Sequence, residues 1–395
     1  LRREGISAGA MDVSDLRIAL FSGNYNMTTD GANKALNRLV GYLQDHGAAV
    51  RVYSPTIAHP AFEPTGDLVS VPSVAIPGRS EYRIPVSFSS RVREDITAFA
   101  PNIVHISSPD RVARQAAAWA RRRRLPVACS VHTRFETYVR YYNLSFLEPV
   151  MVAWLRKLYR KCDALIAPSE SFAQVLREQR MNYDIGIWTR GVEQGVFNPG
   201  RRDMEWRRSL GIEDDVPAIA FLGRLVMEKG LDVFADAIDV LQRRGVPHKV
   251  VVIGEGPAGE WFESRLPDAN FVGFQGGADL AHALASCDIF FNPSVTETFG
   301  NVTLEAMACG LPVVAARATG SASIVKHGQT GYLVPPGSIT GFADHLQRYC
   351  RDIQLRAEHG AAAVLESGAY QWDAINQAVA DTYIRLIRQK QRRRG

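Results

Sequence analysis

"CDIFFNPSVTETFGNVTLEAMACGLPVVAAR", residues 287–317, changes character three times in 31 residues. CDIFFNPS (287–294) is a short apolar run of the kind buried in a sheet. Residues 295–300 read as a turn. NVTLEAMAC (301–309) suits a short helix, which Gly310 stops and Pro312 prevents from continuing. LPVVAAR (311–317) is then the next strand. A strand–turn–helix–strand unit predicts a parallel α/β sheet, in which ligands sit at the carboxyl ends of strands.

The same alternation runs outward from this stretch. LRIALFSG (16–23), AAVRVYSP (48–55), PNIVHISSP (101–109), LPVACSVH (125–132) and CDALIAPS (162–169) read as strands of a first block, with a helix over 31–47. The pattern restarts with VPAIAFLGRL (216–225), a helix over 230–245, HKVVVIGEG (248–256) and NFVGF (270–274). The Pro-, Gly- and charge-rich 195–209 separates the blocks. Two domains are therefore expected, 12–200 and 201–371, with a final helix over 372–388 crossing back to the first. A chain of 395 residues exceeds one ordinary core, which agrees.

Composition narrows the class. Hydrophobic content of 46% against 22% charged residues is that of a soluble globular protein, and no window approaches the ~18 apolar residues of a membrane span. The N-terminal residues lack the apolar core of a secretory signal. Five dispersed cysteines without a C-x-x-C fit buried thiols in a reducing cytoplasm. Arg121 to Arg124 and the basic tail from Arg388 to Arg394 are solvated faces or contacts for an anionic partner.

The 287–317 unit also carries chemistry. A helix start at Asn301 offers unpaired N–H groups and the positive end of a dipole, and Gly300 lets a phosphate approach. Glu297 and Glu305, with seven residues between them, flank that start. Carboxylates beside an anion make sense as acceptors from neutral hydroxyls. A phosphate with hydroxyl-bearing groups on either side is the layout of a nucleotide-sugar. The alternative is that Glu297 caps the helix and Glu305 is solvated. FLGRLVMEKG (221–230) adds Arg224 and Lys229 at a strand's carboxyl end, either surface charges or a diphosphate clamp. GEGPAG (254–259) satisfies G-x-G-x-x-G, but Pro257 interrupts it and no acid ends the following strand, which argues against a dinucleotide site.

ETFGNVTLEAMACGLPVVA resembles the donor-site motif of the retaining glycosyltransferase family four, and the resemblance extends from about residue 16 to 388. It implies an α/β, GT-B fold, two Rossmann-like domains facing across a cleft. The donor site would lie on the second domain and the acceptor side largely on the first. It implies that Glu297 contacts donor-sugar hydroxyls and that Glu305 holds the ribose. Phe299, Gly300 and Asn301, with Val302, would meet sugar and phosphate through their backbone. Arg224 and Lys229 become the basic pair on the diphosphate, and Gly254, Glu255 and Gly256 line the nucleotide pocket. Gly31 matches the glycine that lets the first loop approach the phosphates, although Asp30 stands where a second glycine is usual. Asp30 either touches a substrate or caps the helix. His132 in VHTRFETYVRYY (131–142) resembles the active-site histidine beside the donor sugar, a neutral hydrogen-bonding group rather than a base.

No D-x-D motif ends a strand, so a site without metal or cofactor is expected. The HT-x-F-x-x-Y run that starts at His132 and RGVEQGVFNP (190–199) resemble a subgroup containing GDP-mannose-dependent α-mannosyltransferases and transferases making sulfoquinovosyl, glucosyl or glucuronosyl lipids. That implies mannosyl transfer from GDP-mannose to a lipid or lipid-linked acceptor, with a UDP-sugar as the alternative donor. A sugar-nucleotide epimerase and an NAD-dependent oxidoreductase are the more distant alternatives, and no nucleic acid partner is expected. LSFLEPVMVAWLRKLYRKC (144–162) is either a core-facing helix or an interfacial one on anionic lipid, which would put a cytoplasmic enzyme on the inner face of the membrane.

Overall fold

A computed structural model describes residues 11–28, 30–76, 79–133 and 145–393. The chain forms two compact units. The first comprises Leu1–Pro168, Ala173–Trp188 and Asp373–Gly395, and the second Ser169–Phe172 and Thr189–Trp372.

In the first unit the strands are β1 (Arg17–Phe21), β2 (Ala49–Ser54), β3 (Asp67–Ser70), β4 (Ser73–Ile76), β5 (Arg79–Pro85), β6 (Ile103–Ile106), β7 (Val127–Ser130), β8 (Ala164–Ala167) and β9 (Ile185–Ile187). Seven of them form a parallel sheet in the order β3-β2-β1-β6-β7-β8-β9, and β4 and β5 pair separately as an antiparallel ribbon. Strands β6, β7 and β8 are buried along their whole length, which is why they read as unbroken apolar runs. Helices cover the sheet where their apolar stripes allow. The helix Arg111–Arg122 buries Val112, Ala116, Trp119 and Ala120; Asp110 caps it, and Arg121 and Arg122 complement its carboxyl end. The helix Trp372–Arg392, four residues longer than expected, buries Val379, Tyr383, Leu386 and Ile387. Arg385 holds Asp184 through two bonds of 2.6 and 2.9 Å, and Lys390 pairs with Asp163 at 2.7 Å.

The second unit contains β10 (Ala218–Leu222), β11 (Lys249–Ile253), β12 (Asn270–Phe271), β13 (Ile289–Asn292), β14 (Val313–Ala316) and β15 (Gly331–Val334), all parallel, in the order β12-β11-β10-β13-β14-β15. Alternate residues of β10 feed two cores. Ala218 and Ala220 pack with Leu304 and Met307, while Ile219 and Phe221 pack with Leu231, Phe234 and Phe262. The 195–209 segment belongs to this unit throughout, although residues up to 200 were expected in the first. Its anchor is Arg207, fully buried, whose guanidinium donates to Asp288 Oδ2 and Ser286 O at 2.8 Å. The same Asp288 oxygen accepts the Ala218 N–H at the start of β10.

Strand order reverses between β1 and β6 in one sheet and between β10 and β13 in the other. At such a switch point the two following loops leave in opposite directions and open a crevice at the carboxyl edge. The loops after β10 and β13 are those of Arg224, Lys229 and Glu297. Among the described residues no helix is long and apolar enough to cross a membrane.

Candidate active site

At the second unit's switch point the expected residues gather. Lys229 Nζ lies 2.6 Å from Glu297 Oε1, and both side chains are largely buried. Arg224 is exposed on the same loop as Lys229. Two further contacts stitch that loop to the one after β13. Thr296 Oγ1 donates to Glu228 O at 3.4 Å, and a Cβ on Gly230, whose φ is +76°, would come 3.2 Å from Pro293 O.

The helix Asn301–Ala308 begins directly after Gly300, which adopts φ +98°, and no side chain caps it. The amides of Asn301 and Val302 therefore point out of the helix start toward whatever binds there. Phe299 offers only its backbone, because its ring is buried edge-on against Tyr370. Glu305 is half-buried one turn into the helix. One turn further, the Cys309 thiol is pushed up to about 12, by burial first and then by the Glu305 charge.

Two of the three glycines of GEGPAG, Gly254 and Gly256, pack against a neighbouring backbone. A Cβ on Gly254 would lie 2.0 Å from Gly223 O, and one on Gly256 would lie 2.4 Å from Leu225 O. The two loops are joined by Leu225 N–H to Glu255 O and Ala258 N–H to Leu225 O, each at 2.9 Å. The Glu255 carboxylate accepts the Phe274 N–H at 3.2 Å. The loop after β10 therefore leaves no room for a side chain at Gly254 or Gly256.

A second layer braces the Glu297 turn from behind, and none of its members stood out in the sequence. Gly320, at φ +90°, lies so close that a Cβ would come 2.8 Å from Phe299 O and 2.9 Å from Glu297 O. Its N–H donates to Ser171 Oγ, which also accepts from the Ser323 hydroxyl at 2.8 Å. Ser169 Oγ donates to Thr298 O at 2.6 Å. The available signal was the Gly-Ser-Ala-Ser run after β14, a small-residue cluster at a strand's carboxyl end.

In the first unit Asp30 is a helix cap. Its carboxylate accepts the Asn33 N–H at 2.8 Å, and Gly31 is the first helical residue. The tight glycine of that loop is Gly23, where a Cβ would lie 3.1 Å from both Ser108 Oγ and Asp110 Oδ2. His132 follows β7, its ring edge-on to Trp188 at 5.5 Å and its Nε2 2.8 Å from Ser130 Oγ. Residues 134–142 of the run that follows it lie outside the described residues.

Comparison with known proteins agrees with this geometry. Residues 29–194 match the model for Glycosyltransferase Family 4, and residues 216–352 that for Glycosyl transferases group 1. The sulfoquinovosyl transferase of Arabidopsis thaliana is 31% identical over 367 residues, covering 91% of this chain and 71% of its own. The GDP-mannose-dependent alpha-mannosyltransferase of Corynebacterium glutamicum is 28% identical over 385 residues, 96% and 91% of the two chains. Among solved structures, sucrose-phosphate synthase from Thermosynechococcus elongatus superposes with a TM-score of 0.76 at 20% identity, over 93% of this chain and 98% of that one. Both units accordingly have the Rossmann-like build of the GT-B fold.

Proposed function

Because the chain belongs to glycosyltransferase family 4, we propose that it moves mannose from GDP-mannose to a lipid or lipid-linked acceptor with retention of anomeric configuration. The observation that carries the reading is the Lys229–Glu297 pair beside the uncapped start of the helix Asn301–Ala308. A cation, a carboxylate and two outward amides at one switch point suit a diphosphate with sugar hydroxyls next to it.

In this reading the amides of Asn301 and Val302 take the distal phosphate, and Lys229 and Arg224 neutralise charge as the diphosphate leaves. Glu297 accepts from a sugar hydroxyl and Glu305 from the ribose. The C1–O bond to phosphate breaks as the acceptor oxygen bonds C1 from the same face, and the acceptor's proton passes to the departing phosphate oxygen. Lys229 and Glu297 hold each other in position until the donor arrives, then exchange each other for phosphate and hydroxyl.

The lipid acceptor has its own support. On the helix Glu148–Tyr159, Leu155, Leu158 and Tyr159 are buried, whereas Val150 is 65% exposed and Trp154 38%, with Phe146 71% exposed just before it. Arg114 lies over the Trp154 ring at 5.4 Å. An apolar patch with an arginine stacked on its tryptophan suits an anionic lipid surface. A sulfoquinovosyl or glucosyl donor on UDP is the second reading, and the plant relative favours it.

A thermal-shift panel of GDP, UDP, ADP and NAD, followed by transfer assays with the matching nucleotide-sugars, tests both. Stabilisation by GDP that vanishes in Glu305→Ala supports the mannosyl reading. UDP selectivity keeps the site and moves the donor to the second reading. A response to NAD alone overturns both.

A further inference from the structure

Four side chains of the first unit, distant in sequence, form one hydrogen-bonded file that ends at His132. Tyr383 Oη lies 2.6 Å from His105 Nδ1, His105 Nε2 lies 2.8 Å from Ser130 Oγ, and Ser130 Oγ lies 2.8 Å from His132 Nε2. Tyr383 and His105 are completely buried and Ser130 nearly so.

With neutral rings the file has three proton orders. In the first, the Tyr383 hydroxyl donates to His105 Nδ1, His105 Nε2–H donates to Ser130 Oγ, and the Ser130 hydroxyl donates to His132 Nε2. Every proton between Tyr383 and His132 then has an acceptor within the file. In the second, each bond is reversed and the file ends on the Tyr383 hydroxyl proton. That proton has no other acceptor among the described residues. In the third, both rings donate to Ser130 Oγ, and the Ser130 hydroxyl proton has no other acceptor among the described residues. A buried donor without a partner is costly, so the first order prevails. Burial also lowers the His105 pKa to about 3 and raises that of the Tyr383 phenol, so His105 is neutral and Tyr383 keeps the proton it donates.

We propose that Tyr383, His105 and Ser130 are positioning residues that fix His132 as the Nδ1–H tautomer. Nε2 is then occupied as an acceptor and Nδ1 carries the donor, the less common tautomer of free histidine in water. A ring held this way gives a hydrogen bond to an oxygen and does not take a proton at Nε2. The proposal rests on the glycosyltransferase reading only where catalysis is its readout.

The test is two-bond ¹H–¹⁵N correlation of the histidine rings in the full chain above about pH 8, where a histidine with the ordinary pKa of about 6.5 is neutral. The His132 signals are assigned by their loss in His132→Gln. Expected are a protonated Nδ1 and an unprotonated Nε2 on His132, and the reverse on His105. Tyr383→Phe removes the head of the file without changing the ring, and Ser130→Ala cuts it beside His132. In each, His132 moves to the Nε2–H form or a mixture, whereas Ser130→Thr, which keeps the hydroxyl, restores Nδ1–H. With the donor identified above, Tyr383→Phe lowers kcat roughly tenfold with KM for the donor nearly unchanged. A wild-type His132 protonated on Nε2, or a tautomer unmoved in folded Tyr383→Phe and Ser130→Ala, overturns the proposal. If no transfer is detected with any donor, the functional reading fails, and the ring spectra still decide the tautomer.

Discussion

At the scale of single residues, the site is a set of short contacts whose removal has different signatures. Lys229 faces Glu297 at 2.6 Å, so Lys229→Met leaves a carboxylate unpaired and, on the proposed reading, takes a cation from the departing phosphate. The expected result is a loss of about 10²–10³ in kcat/KM, the usual cost of deleting one charge-stabilising group. Steady-state kinetics with the identified donor checks it, and a loss below threefold contradicts it. Gly320 acts through shape alone. Gly320→Ala forces a Cβ to within 3 Å of two carbonyl oxygens at a positive φ, at a cost of about 1–3 kcal/mol. Melting of the second unit should fall by roughly 2–4 °C per kcal/mol, with a weaker nucleotide-induced shift. That Lys229 and Glu297 lie on neighbouring loops was legible, because each follows a strand that reads clearly in the sequence. Gly320, Ser169, Ser171 and Ser323 were not, because Ser171 and Ser323 meet only when chain segments 152 residues apart are folded together.

At the scale of elements, buried strands were legible wherever apolar runs were bounded by turn residues, as in β1, β6, β7, β10, β11 and β13. The misses have a common cause. β9 is three residues with Gly186 at its centre, β15 begins at Gly331, and β3 is a half-exposed edge strand. A glycine or an exposed face weakens the pattern, and in β15 the glycine is needed, since a Cβ on Gly331 would sit 2.1 Å from Val313 O. The helix Glu148–Tyr159 was found, but periodicity alone left its apolar side either buried or exposed. The structure leaves Phe146, Val150 and Trp154 in the open. Val150→Asp combined with Phe146→Asp should therefore reduce flotation with anionic vesicles severalfold while leaving the nucleotide-induced thermal shift intact. Equal flotation of both proteins, or equal recovery on neutral and anionic vesicles, argues against the lipid-facing role.

At the scale of the whole molecule, each unit has its own core, so unfolding need not be a single transition. Acid should separate the two. His105, buried in β6 with its pKa lowered to about 3, binds its proton more readily in the unfolded chain. Between about pH 6.5 and 3 the folded first unit therefore loses about 1.4 kcal/mol of stability per pH unit, and above pH 6.5 this loss is absent. Hydrogen exchange of the β6 and β7 amides at about pH 7 and 5 should show a drop of about 2 kcal/mol that shrinks in His105→Gln. The first unit is also discontinuous in a way that bears on how it is made. Tyr383, Leu386 and Ile387 belong to its core, yet they are translated after every residue of the second unit. A nascent chain can thus complete the later unit while the earlier one still waits for its closing helix, with apolar surface uncovered. Demand for chaperones during synthesis should accordingly fall on the segment that leaves the ribosome first.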